Sequence, residues 1–525
     1  MDFTEHRKKW LLAHNYADPV RFAVACNVLA GLRAGQPLEA ALRRHAMPDG
    51  GLLSKDHLVH AYRRLVESGE LRPEPSLLRQ LRTKPVRTLS GVTTVTVLTK
   101  PYPCPGKCIF CPTDVRMPKS YLHDEPGAMR AEQHAFDPYD QTLARLQALQ
   151  AIGHPTAKVE LLILGGTWSS YRRDYQAWFV QRCLDAMNRR DSSSLAEAQG
   201  WNESAPHRNV GLCIETRPDH IHPEEIAWLR SLGVTRVQVG LQSLDDRILE
   251  LNQRGHDVQC SRQALRLLRA AGFKLLVHWM PNLLGATPEG DLEDGLRLWS
   301  DPDLRPDELK IYPCSLLANA ELYQYWLRGE YTPYRDDELL ELLISLKPHI
   351  QPYTRVNRVV RDIPATNVVA GSKRSNLRED VQRELRRRGL QCRCIRCREV
   401  RGQPVDPRSL QLESLSYLAG AAEERFLQFL TAEGRLAGYL RLSLPDLASS
   451  ESRALAQYLP ELAGAALVRE VHVYGQSLDL EAGQPRHLDA PTPRQGRGRR
   501  SGQAVGAGGR GRQSGRAVGA GGTWG

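Results

Sequence analysis

Short apolar runs alternate with longer amphipathic segments through the middle of the chain. The apolar runs, rich in Val, Ile and Leu, occupy residues 91–98, 158–164, 210–215, 236–239, 274–279 and 308–312. Each has the length of a buried strand, and helical spacing appears between them, as in 175–189, 222–232, 260–271 and 291–299. Strands that alternate with helices predict a parallel sheet with right-handed crossovers. Six such units predict an α/β fold with a partial (β/α)6 barrel.

The two flanks of this region have other patterns. Residues 1–84 contain amphipathic stretches at 19–32 and 55–67, which predict a helical N-terminal region. Alternating apolar residues at 425–430 and 436–442, around a Glu433-Gly434 turn, predict an antiparallel hairpin, and 466–474 predicts a further strand. The expected domains are a helical N-terminal region (1–84), the barrel (85–320), a connector (321–405), an incomplete α+β domain (406–480) and a Gly/Arg-rich tail (481–525).

Composition supports several folded domains and argues against a membrane protein. The chain has 525 residues, of which 41% are hydrophobic and 25% charged, as in ordinary globular proteins. It contains no run of about 18 apolar residues, and its start lacks the apolar segment of a secretory signal. The eleven cysteines are clustered, which favours metal binding in a reducing compartment. We therefore expect a cytoplasmic protein without a membrane partner.

Most of the net charge of +11 comes from the end of the chain. From Arg486 onward there are eight Arg and one Asp, a contribution of +7, which leaves only +4 of the +11 for the rest. The tail repeats residues 497–509 as 510–522 with two differences in thirteen positions. Such Gly/Arg-rich sequence cannot bury a core, so we expect disorder. It is either a degenerate or frame-shifted end or a segment that binds RNA loosely.

Cys104, Cys108 and Cys111 form a CxxxCxxC loop after the first predicted strand. This spacing lets three thiolates bind one [4Fe–4S] cluster and leaves the fourth iron without a protein ligand. That iron can chelate S-adenosylmethionine (SAM), whose reduction releases a 5′-deoxyadenosyl radical. The alternatives are a structural zinc loop and three unconnected thiols. Zinc usually needs a fourth N or S ligand, however, and the nearest downstream histidine, His123, lies in a polar stretch.

A second group of cysteines lies in the connector, where Cys392, Cys394 and Cys397 form CxCxxC. Cys394 and Cys397, with Cys314 after the sixth predicted strand, predict a zinc site, and whether Cys392 is its fourth ligand is left open by the spacing. Free cytosolic thiols are the alternative. Between residues 383 and 401 eight Arg accompany only two Glu, which favours a phosphate-binding surface over a merely solvated face.

A set of short motifs between residues 81 and 476 resembles the catalytic subunit of Elongator and its stand-alone prokaryotic counterparts. Besides the cysteine loop, the motifs are RTLSG (87–91), EPGAMR (125–130), LGGT (164–167), IETRPD (214–219), VGLQS (239–243), NQRGH (252–256), HWMP (278–281), LKIYP (309–313), RDIP (361–364) and VHVYG (471–475). That family joins a radical-SAM domain to a GNAT-type acetyltransferase domain. The resemblance therefore implies a radical-SAM barrel, a zinc-binding connector and a GNAT-like domain.

The resemblance also implies a reaction. The family installs a carboxymethyl group on C5 of the wobble uridine of certain tRNAs, with acetyl-CoA as the source of the two carbons. The adenosyl radical abstracts hydrogen from the acetyl methyl group, the carbon radical adds to C5, and electron loss with thioester hydrolysis leaves 5-carboxymethyluridine. We therefore expect an enzyme of the acyltransferase class that binds tRNA in its N-terminal region and acts alone or as a homodimer.

Roles for single residues follow from the matched motifs. The three cysteines of the loop would hold the cluster, and the residues expected to contact SAM are Gly165, Gly166, Gln242 and Lys310. The candidates for catalysis are Glu215, Arg217, Lys274 and His278. Each also has a structural alternative, because Glu215 and Arg217 could pair with each other, Lys274 could be solvated and His278 could be a hydrogen-bonded core residue. The acetyl-CoA candidates are Tyr474, Gln495, Gly496 and Gly498.

The chain departs from the family in its last domain. The family has a His-Gln-Gly-aromatic-Gly loop and then a long amphipathic helix, whereas here Arg494-Gln-Gly-Arg-Gly498 stands at the loop and no helix pattern follows. Without that helix the loop lacks the dipole and amide array that hold a pyrophosphate. The competing hypothesis is therefore a non-catalytic or partly active Fe–S protein that binds tRNA but not acetyl-CoA. Protein lysine acetylation is a third hypothesis.

Overall fold

The computed structural model describes residues 15–474. Four helices open this part of the chain, α1 (Pro19–Arg33), α2 (Leu38–Arg44), α3 (Lys55–Glu67) and α4 (Pro75–Leu81). The start of α1 is fixed by Asp18, whose carboxylate accepts hydrogen bonds from the amides of Val20 and Arg21, and by Pro19 in the first turn. The four helices share a hydrophobic core of their own, which includes Leu29 and Leu58.

Seven parallel strands form the main sheet, in the order in which they occur in the chain. They are β1 (Val92–Leu98), β2 (Lys158–Leu164), β3 (Arg208–Thr216), β4 (Arg236–Gln242), β5 (Lys274–Trp279), β6 (Glu308–Ile311) and β7 (Arg355–Arg358). Sequential order with parallel pairing makes each connection a crossover, which is the topology of an open (β/α) barrel. All carboxyl ends of the strands therefore lie at one rim.

Helices cover the outside of this barrel. They are α5 (Pro126–Gln133), α6 (Pro138–Ala151), α7 (Arg173–Asn188), α8 (Leu195–Asn202), α9 (Pro223–Ser231), α10 (Asp246–Leu251), α11 (Val258–Ala270) and α12 (Pro288–Ser300). Their buried faces and the strands form one core, to which Phe179, Leu268 and Trp279 belong. Gly233 and Gly272 follow α9 and α11 closely, and their positive φ values of 85° and 77° suit the ends of helices.

The six predicted strands are confirmed, and the structure adds a seventh. β7 has the sequence Arg-Val-Asn-Arg, of which only Val356 is buried. A strand of four residues with one apolar side chain has no hydrophobic pattern. The sequence therefore predicts six strands, a (β/α)6 barrel, whereas the structure has seven parallel strands. β7 extends the rim beyond β6, with which it pairs through Glu308 and Leu309.

A connector of four short helices leads to a second sheet. The helices are α13 (Leu322–Leu327), α14 (Asp336–Leu346), α15 (Leu377–Arg387) and α16 (Ile395–Arg398). The second sheet is antiparallel with the order β11-β10-β9-β8, and its strands are β8 (Gln411–Ala419), β9 (Ala422–Leu430), β10 (Leu436–Pro445) and β11 (Leu467–Val473). Helix α17 (Ser450–Ala456) connects β10 to β11. The predicted hairpin is β9 and β10, and β8 was not predicted.

Buried ion pairs join the second sheet to the base of the barrel, where the strands begin. Asp307, directly before β6, accepts from Arg269 at 2.9 Å and from Arg469 of β11 at 2.6 Å, and Arg441 of β10 lies 3.4 Å away. All four side chains are 0–2% exposed. Charges with so little solvent around them are stable only when they are paired, so this contact fixes the sheet on the barrel.

None of the helices in the described part of the chain combines the length and the apolar composition needed to cross a bilayer.

Candidate active site

The cysteine loop leaves β1 at the carboxyl-end rim of the barrel. Thr99 still continues the sheet, because its amide donates to the carbonyl of Leu164 at 2.9 Å. Ile109 then anchors the loop, since its amide donates to the carbonyl of Asn252 and its carbonyl accepts from the amide of Leu322 at 2.8 Å. The loop is therefore held from both sides of the rim while its cysteines face the barrel.

Each cysteine of the loop has a polar neighbour. The sulfur of Cys104 lies 3.5 Å from the Thr167 hydroxyl, and that of Cys111 lies 3.2 Å from the Ser120 hydroxyl. Arg254 donates from Nη1 to the Cys108 sulfur at 3.4 Å. A hydrogen bond from Cys111 and the nearby positive charge of Arg254 lower the pKa of Cys108 to about 5. At least one thiolate is thus stabilised where a metal cluster needs it.

Two glycines permit close approach around this loop. Gly165 follows β2 with a φ of 137°, and a Cβ added there would lie 1.8 Å from the Thr99 hydroxyl oxygen. Gly106, inside the cysteine loop, would place a Cβ only 2.2 Å from Nη1 of Arg217. Gly166, with a φ of 90°, lines the cavity below the loop. Thr99 and Arg217 can therefore pack against the backbone at Gly165 and Gly106 because side chains are absent there.

Several buried polar atoms at the rim have no hydrogen-bond partner, namely Nη1 of Arg217, Nε of Arg254 and Oε1 of Gln242. The rest of Arg217 is held rigidly, because Asp219 accepts from its Nε and Nη2 at 2.8 Å and the Arg254 carbonyl accepts from its Nη2 at 2.7 Å. A buried group without a partner is costly, and such groups beside a cavity indicate a polar ligand.

The donor set therefore fits a [4Fe–4S] cluster with SAM. Three thiols are available, one for each of three irons. The ligands of a single metal ion would all lie within 4.8 Å of one another, and within residues 15–474 these three sulfurs do not form such a group. The unpartnered guanidinium nitrogens suit a carboxylate, and the Gln242 oxygen suits a hydroxyl or amino group. The zinc alternative for this loop gains no support from the geometry.

Changing Gly106 to alanine tests the Arg217 part of this arrangement. The new methyl group would displace the guanidinium, so we expect the KM for SAM to rise about tenfold or more, because a hydrogen bond to a charged group contributes ~1.5–3 kcal/mol. The cluster absorbance should be unchanged. Gly200→Ala, where an added Cβ meets nothing within 4 Å, is the matched control. An unchanged KM in G106A would show that Arg217 does not contact SAM.

A polar group fills the middle of the barrel. Nε2 of His278 lies 3.0 Å from Oε1 of Gln238, which also accepts from the Lys310 ammonium. Nδ1 of His278 lies 3.4 Å from Glu215, whose other oxygen accepts from the Tyr121 hydroxyl at 3.1 Å. Burial, together with the cations Lys310 and Arg361, lowers the pKa of His278 well below its usual value. His278 is therefore a neutral imidazole that faces both an amide oxygen and a carboxylate.

The predicted catalytic residues do not form one group. Glu215 and His278 meet in the middle of the barrel, whereas Arg217 lies at the rim and pairs with Asp219 rather than with Glu215. Lys274 lies at the base, where its ammonium is 2.9 Å from Glu308 and 2.6 Å from Glu470 of β11. Burial lowers the pKa of Lys274, but the two carboxylates outweigh it and raise the pKa. Lys274 is thus neither solvated nor near the cysteines.

One cavity of about 1740 Å³ connects these three levels. Its lining includes Cys104 and Arg217 at the rim, His278 in the middle, and Lys274 and His472 at the base. Because His472 belongs to β11, the cavity is shared between the barrel and the second sheet. Tyr474 lies next to this end, where its hydroxyl accepts from Arg355 at 2.7 Å. The other predicted acetyl-CoA residues, Gln495, Gly496 and Gly498, lie outside the described residues, as does the Gly/Arg-rich tail.

The sulfurs of Cys392, Cys394 and Cys397 lie within 4.8 Å of one another. Three ligands of a tetrahedral zinc ion are ~3.8 Å apart, so the triad fits such an ion. Cys314 is not part of this group. The triad lies at the base, where the Ile395 amide donates to Thr354 directly before β7, while Cys314 follows β6 at the opposite rim. The length of a strand therefore separates Cys314 from the triad, and we correct the predicted ligand set accordingly.

The arginines of the connector are less free than the sequence suggests. Arg383, Arg387 and Arg388 form ion pairs with Asp380, Glu384 and Glu341. Others donate to backbone carbonyls, as Arg398 does to Pro352 at 2.8 Å. Arg386 and Arg393 are exposed. The surface is basic, but several of its arginines are already neutralised by carboxylates of the same protein.

Arg254 and Gln238 are site residues that the sequence did not single out. Arg254 lies in the NQRGH motif and bonds the cysteine loop, while Gln238 lies in the buried strand β4 and orients His278. Their signal in the sequence is a polar side chain within an otherwise apolar or structured segment. Such a side chain, once buried, needs a defined partner and therefore indicates a site. Motif matching alone did not show which of them faces the cavity.

Comparisons with known proteins agree with this geometry. Residues 102–294 match the model of the radical SAM superfamily, and residues 306–387 match that of the radical SAM C-terminal domain. The fold and the cysteine loop thus define a radical-SAM protein with an added antiparallel sheet.

The relatives identify the family within this class. The tRNA uridine(34) acetyltransferase of Methanocaldococcus infernus is 44% identical over 413 residues, which cover 76% of each chain. Elongator complex protein 3 of Homo sapiens is 33% identical over 426 residues, 78% of this chain and 76% of that one. The solved archaeal Methanocaldococcus infernus Elp3 with an N-terminal deletion superposes with a TM-score of 0.63 at 39% identity, over 75% of this chain and 85% of that chain. The chain belongs to the family of tRNA uridine(34) acetyltransferases and Elongator complex protein 3.

Proposed function

We propose that this protein modifies the wobble uridine of tRNA by radical-SAM chemistry and that its product is 5-carboxymethyluridine, with acetyl-CoA as the carbon source. The observation that carries the proposal is the cavity shared by the cysteine loop and β11, because it connects a site for radical generation with the sheet on which an acyl donor would bind. The name of the Methanocaldococcus infernus relative supports uridine 34 as the target and an acyl group as the addition.

The rim binds the cofactors in this proposal. Cys104, Cys108 and Cys111 hold the cluster, which with bound SAM supplies a carbon-centred radical. Arg217 and Arg254 offer their unpartnered nitrogens to the SAM carboxylate, and Gln242 orients the adenosyl half. Gly165 and Gly166 keep side chains away from this space. Because Asp219 already holds Arg217 in place, the Arg217 side chain would lose little conformational entropy when SAM binds.

The middle of the barrel handles protons. Gln238 accepts from Lys310, so its oxygen faces His278 and requires a proton on Nε2 of the imidazole. Nδ1 of the neutral imidazole then carries a free lone pair and lies 3.4 Å from Glu215. The pair can therefore take up or release a proton beside a substrate in the cavity, while Lys310 stabilises developing negative charge.

The base presents the acyl donor. Glu470 and His472 project from β11 into the cavity, and Tyr439 donates to Glu470 at 2.7 Å. The thioester would lie along β11, with Tyr474 as a further contact, while Gln495, Gly496 and Gly498 stay predictions from the sequence. Lys274 connects this strand to the barrel and is a positioning residue rather than a catalytic one.

The remaining parts serve tRNA and stability. We propose that the helical region 1–84 and the exposed arginines of the connector bind tRNA phosphates. We further propose that Cys392, Cys394 and Cys397 hold a structural zinc ion, which would fix the connector (321–405), whose strand β7 completes the barrel sheet, against the acetyltransferase-like part (406–480).

A second candidate function is tRNA binding without acyl transfer. The face of the second sheet that points away from the barrel exposes 58% of Leu412, 64% of Leu418, 45% of Phe429 and 50% of both Val468 and Val473. Register places these side chains on one face. A sheet face that carries this many apolar side chains is normally covered by another layer, and no helix within residues 15–474 covers it, so the described part of the chain favours a protein with a weakened acyl-donor site.

Labelled acetyl-CoA distinguishes the two candidates. The reconstituted protein is incubated without oxygen with tRNA, SAM, a reductant and acetyl-CoA labelled with ¹³C at both acetyl carbons, and the tRNA nucleosides are analysed by mass spectrometry. Our proposal predicts 5-carboxymethyluridine that carries both labels. SAM cleavage without labelled nucleoside would contradict the acyl-transfer proposal and support the second candidate.

A further inference from the structure

Gln242 ends β4 in a backbone conformation that its residue type rarely adopts. Its φ is 74°, in the left-handed region where a side chain with a Cβ is strained. The pairing register with β5 shifts at the same place, between Gly240 and Gln242. The side chain lines the cavity, and within residues 15–474 its buried Oε1 has no hydrogen-bond partner. Backbone strain beside an unsatisfied polar atom indicates a residue that is held in place for a ligand.

One carboxylate from the helix layer holds the turn that follows Gln242. Asp294 of α12 is 5% exposed, and its Oδ1 accepts from the amide of Leu244 at 2.7 Å. Its Oδ2 accepts from the indole Nε1 of Trp279 in β5 at 2.8 Å and from the Ser243 hydroxyl at 3.3 Å. The two residues directly after Gln242 are therefore fixed to the neighbouring strand through a single buried side chain.

These hydrogen bonds are what stabilises the carboxylate of Asp294. In the described part of the chain it forms no ion pair, and a buried carboxylate without a cation is costly unless several donors face it. Arg297 of the same helix donates to the carbonyl of Leu244 at 2.5 Å, so both backbone polar groups of Leu244 are bound to α12. A helix on the outside of the barrel thus sets the position of a residue that faces the cavity.

Asp291, one turn earlier on α12, holds a different loop in the same way. It is also 5% exposed, and its Oδ2 accepts from the amide of Asn282 and from the Tyr334 hydroxyl, both at 2.7 Å. Asn282 has a φ of 69°, but its side chain binds the carbonyl of Cys314 and the amide of Tyr334, and it does not line the cavity. Asp291 therefore matches Asp294 in chemistry and burial but not in what it positions.

We propose that Asp294 is a positioning residue for SAM, because it holds the turn after β4 so that the left-handed Gln242 presents its side-chain oxygen to the adenosyl half. The inference rests on the proposed contact of Gln242 with SAM. It goes beyond that contact, since it assigns part of the affinity to a carboxylate that does not itself line the cavity. A side chain whose backbone is already fixed loses less conformational entropy when the ligand binds.

The test measures the equilibrium binding of SAM to variants that carry the intact cluster, with iron content as the check on folding. Asp294→Ala and Gln242→Ala should each weaken binding by about 3–10-fold, the usual contribution of a neutral hydrogen bond. The double variant should bind like Q242A alone, because both changes act on the same contact. Asp291→Ala is the matched control and should bind like the parent protein. If D294A loses its cluster, Asp294→Asn keeps the volume and should weaken binding in the same direction, because an amide nitrogen cannot accept.

Hydrogen exchange of the cluster-loaded protein without SAM gives a second readout. The amide of Leu244 should exchange faster in D294A, and that of Asn282 faster in D291A. Unchanged SAM binding in Q242A would overturn the proposed contact of Gln242. Where Q242A does bind weakly, the positioning proposal alone would be overturned by parent-like binding in D294A, by equal weakening in D291A, by further weakening in the double variant, or by unchanged exchange at Leu244.

Discussion

Replacement of Cys108 by alanine is expected to abolish the iron–sulfur cluster. Cys108 is the buried member of the loop, it receives the hydrogen bond from Arg254, and its pKa is lowered to about 5, which favours the thiolate that a cluster needs. Loss of an outer-sphere partner already costs ~10–100-fold in metal affinity, so loss of a ligand should cost more. Iron and sulfide analysis should fall to background, and the dithionite-reduced protein should show no cluster signal in electron paramagnetic resonance.

Cys183→Ala is the matched control. Cys183 is a fully buried cysteine of α7 in the barrel core and lies outside both cysteine groups. This variant should keep its cluster and lose only some stability through the small cavity it creates. If C108A reconstitutes with a full complement of iron and a normal spectrum, the three cysteines of the loop are not the cluster ligands.

The second large effect is expected from Asp307→Asn. Asp307 is 0% exposed and balances Arg269, Arg441 and Arg469, two of which belong to the second sheet. The amide would remove the carboxylate that these three buried guanidinium groups share and leave only Glu470 for Arg441 and Glu424 for Arg469, so the free energy of unfolding should fall by about 3–5 kcal/mol. Urea unfolding followed by tryptophan fluorescence measures this change. Asp362→Asn is the control, because Asp362 pairs with Arg358 and its side chain is 65% exposed. This substitution should change the free energy of unfolding by less than ~1 kcal/mol.

The same aspartate makes stability depend on pH. Burial raises the pKa of Asp307, but the three arginines outweigh it and hold the pKa well below its usual range. An acid with a depressed folded-state pKa stabilises the protein above its unfolded value of about 3.9, and this contribution is lost as the pH falls through the folded value. The difference in free energy of unfolding between the parent and D307N should therefore be largest at neutral pH and become smaller in acid. A difference that is small at pH 7, or constant down to pH 3, would contradict the role of Asp307.

The sequence predicted the barrel well because each of its first six strands is a run of apolar residues between amphipathic helices. It missed β7 because Arg355–Arg358 has one buried side chain, and it missed β8 because most of that strand is exposed. Both strands owe their conformation to pairing with a neighbour rather than to their own pattern. Local periodicity carries no information about such tertiary pairing.

The site was predicted in part for a similar reason. The spacing of Cys104, Cys108 and Cys111 identifies a cluster loop without any knowledge of the fold. Lys274 lies at the base because it is the first residue of β5, but its pairing with Glu470 follows only from the docking of β11, which brings the two together across 196 residues. Cys314 was predicted as a zinc ligand because the chain order does not show at which end of the barrel the connector cysteines lie. They lie at the base, whereas Cys314 follows β6 at the opposite rim.

The most direct test of the central claim is formation of 5′-deoxyadenosine by the anaerobically reconstituted protein. The protein is supplied with SAM, a reductant and either tRNA, a tRNA without uridine at the wobble position, or no RNA, and the nucleoside is quantified by mass spectrometry. We predict 5′-deoxyadenosine formation that requires the cluster and rises with the uridine-containing tRNA. No 5′-deoxyadenosine with any RNA, from protein whose cluster is intact, would contradict the account.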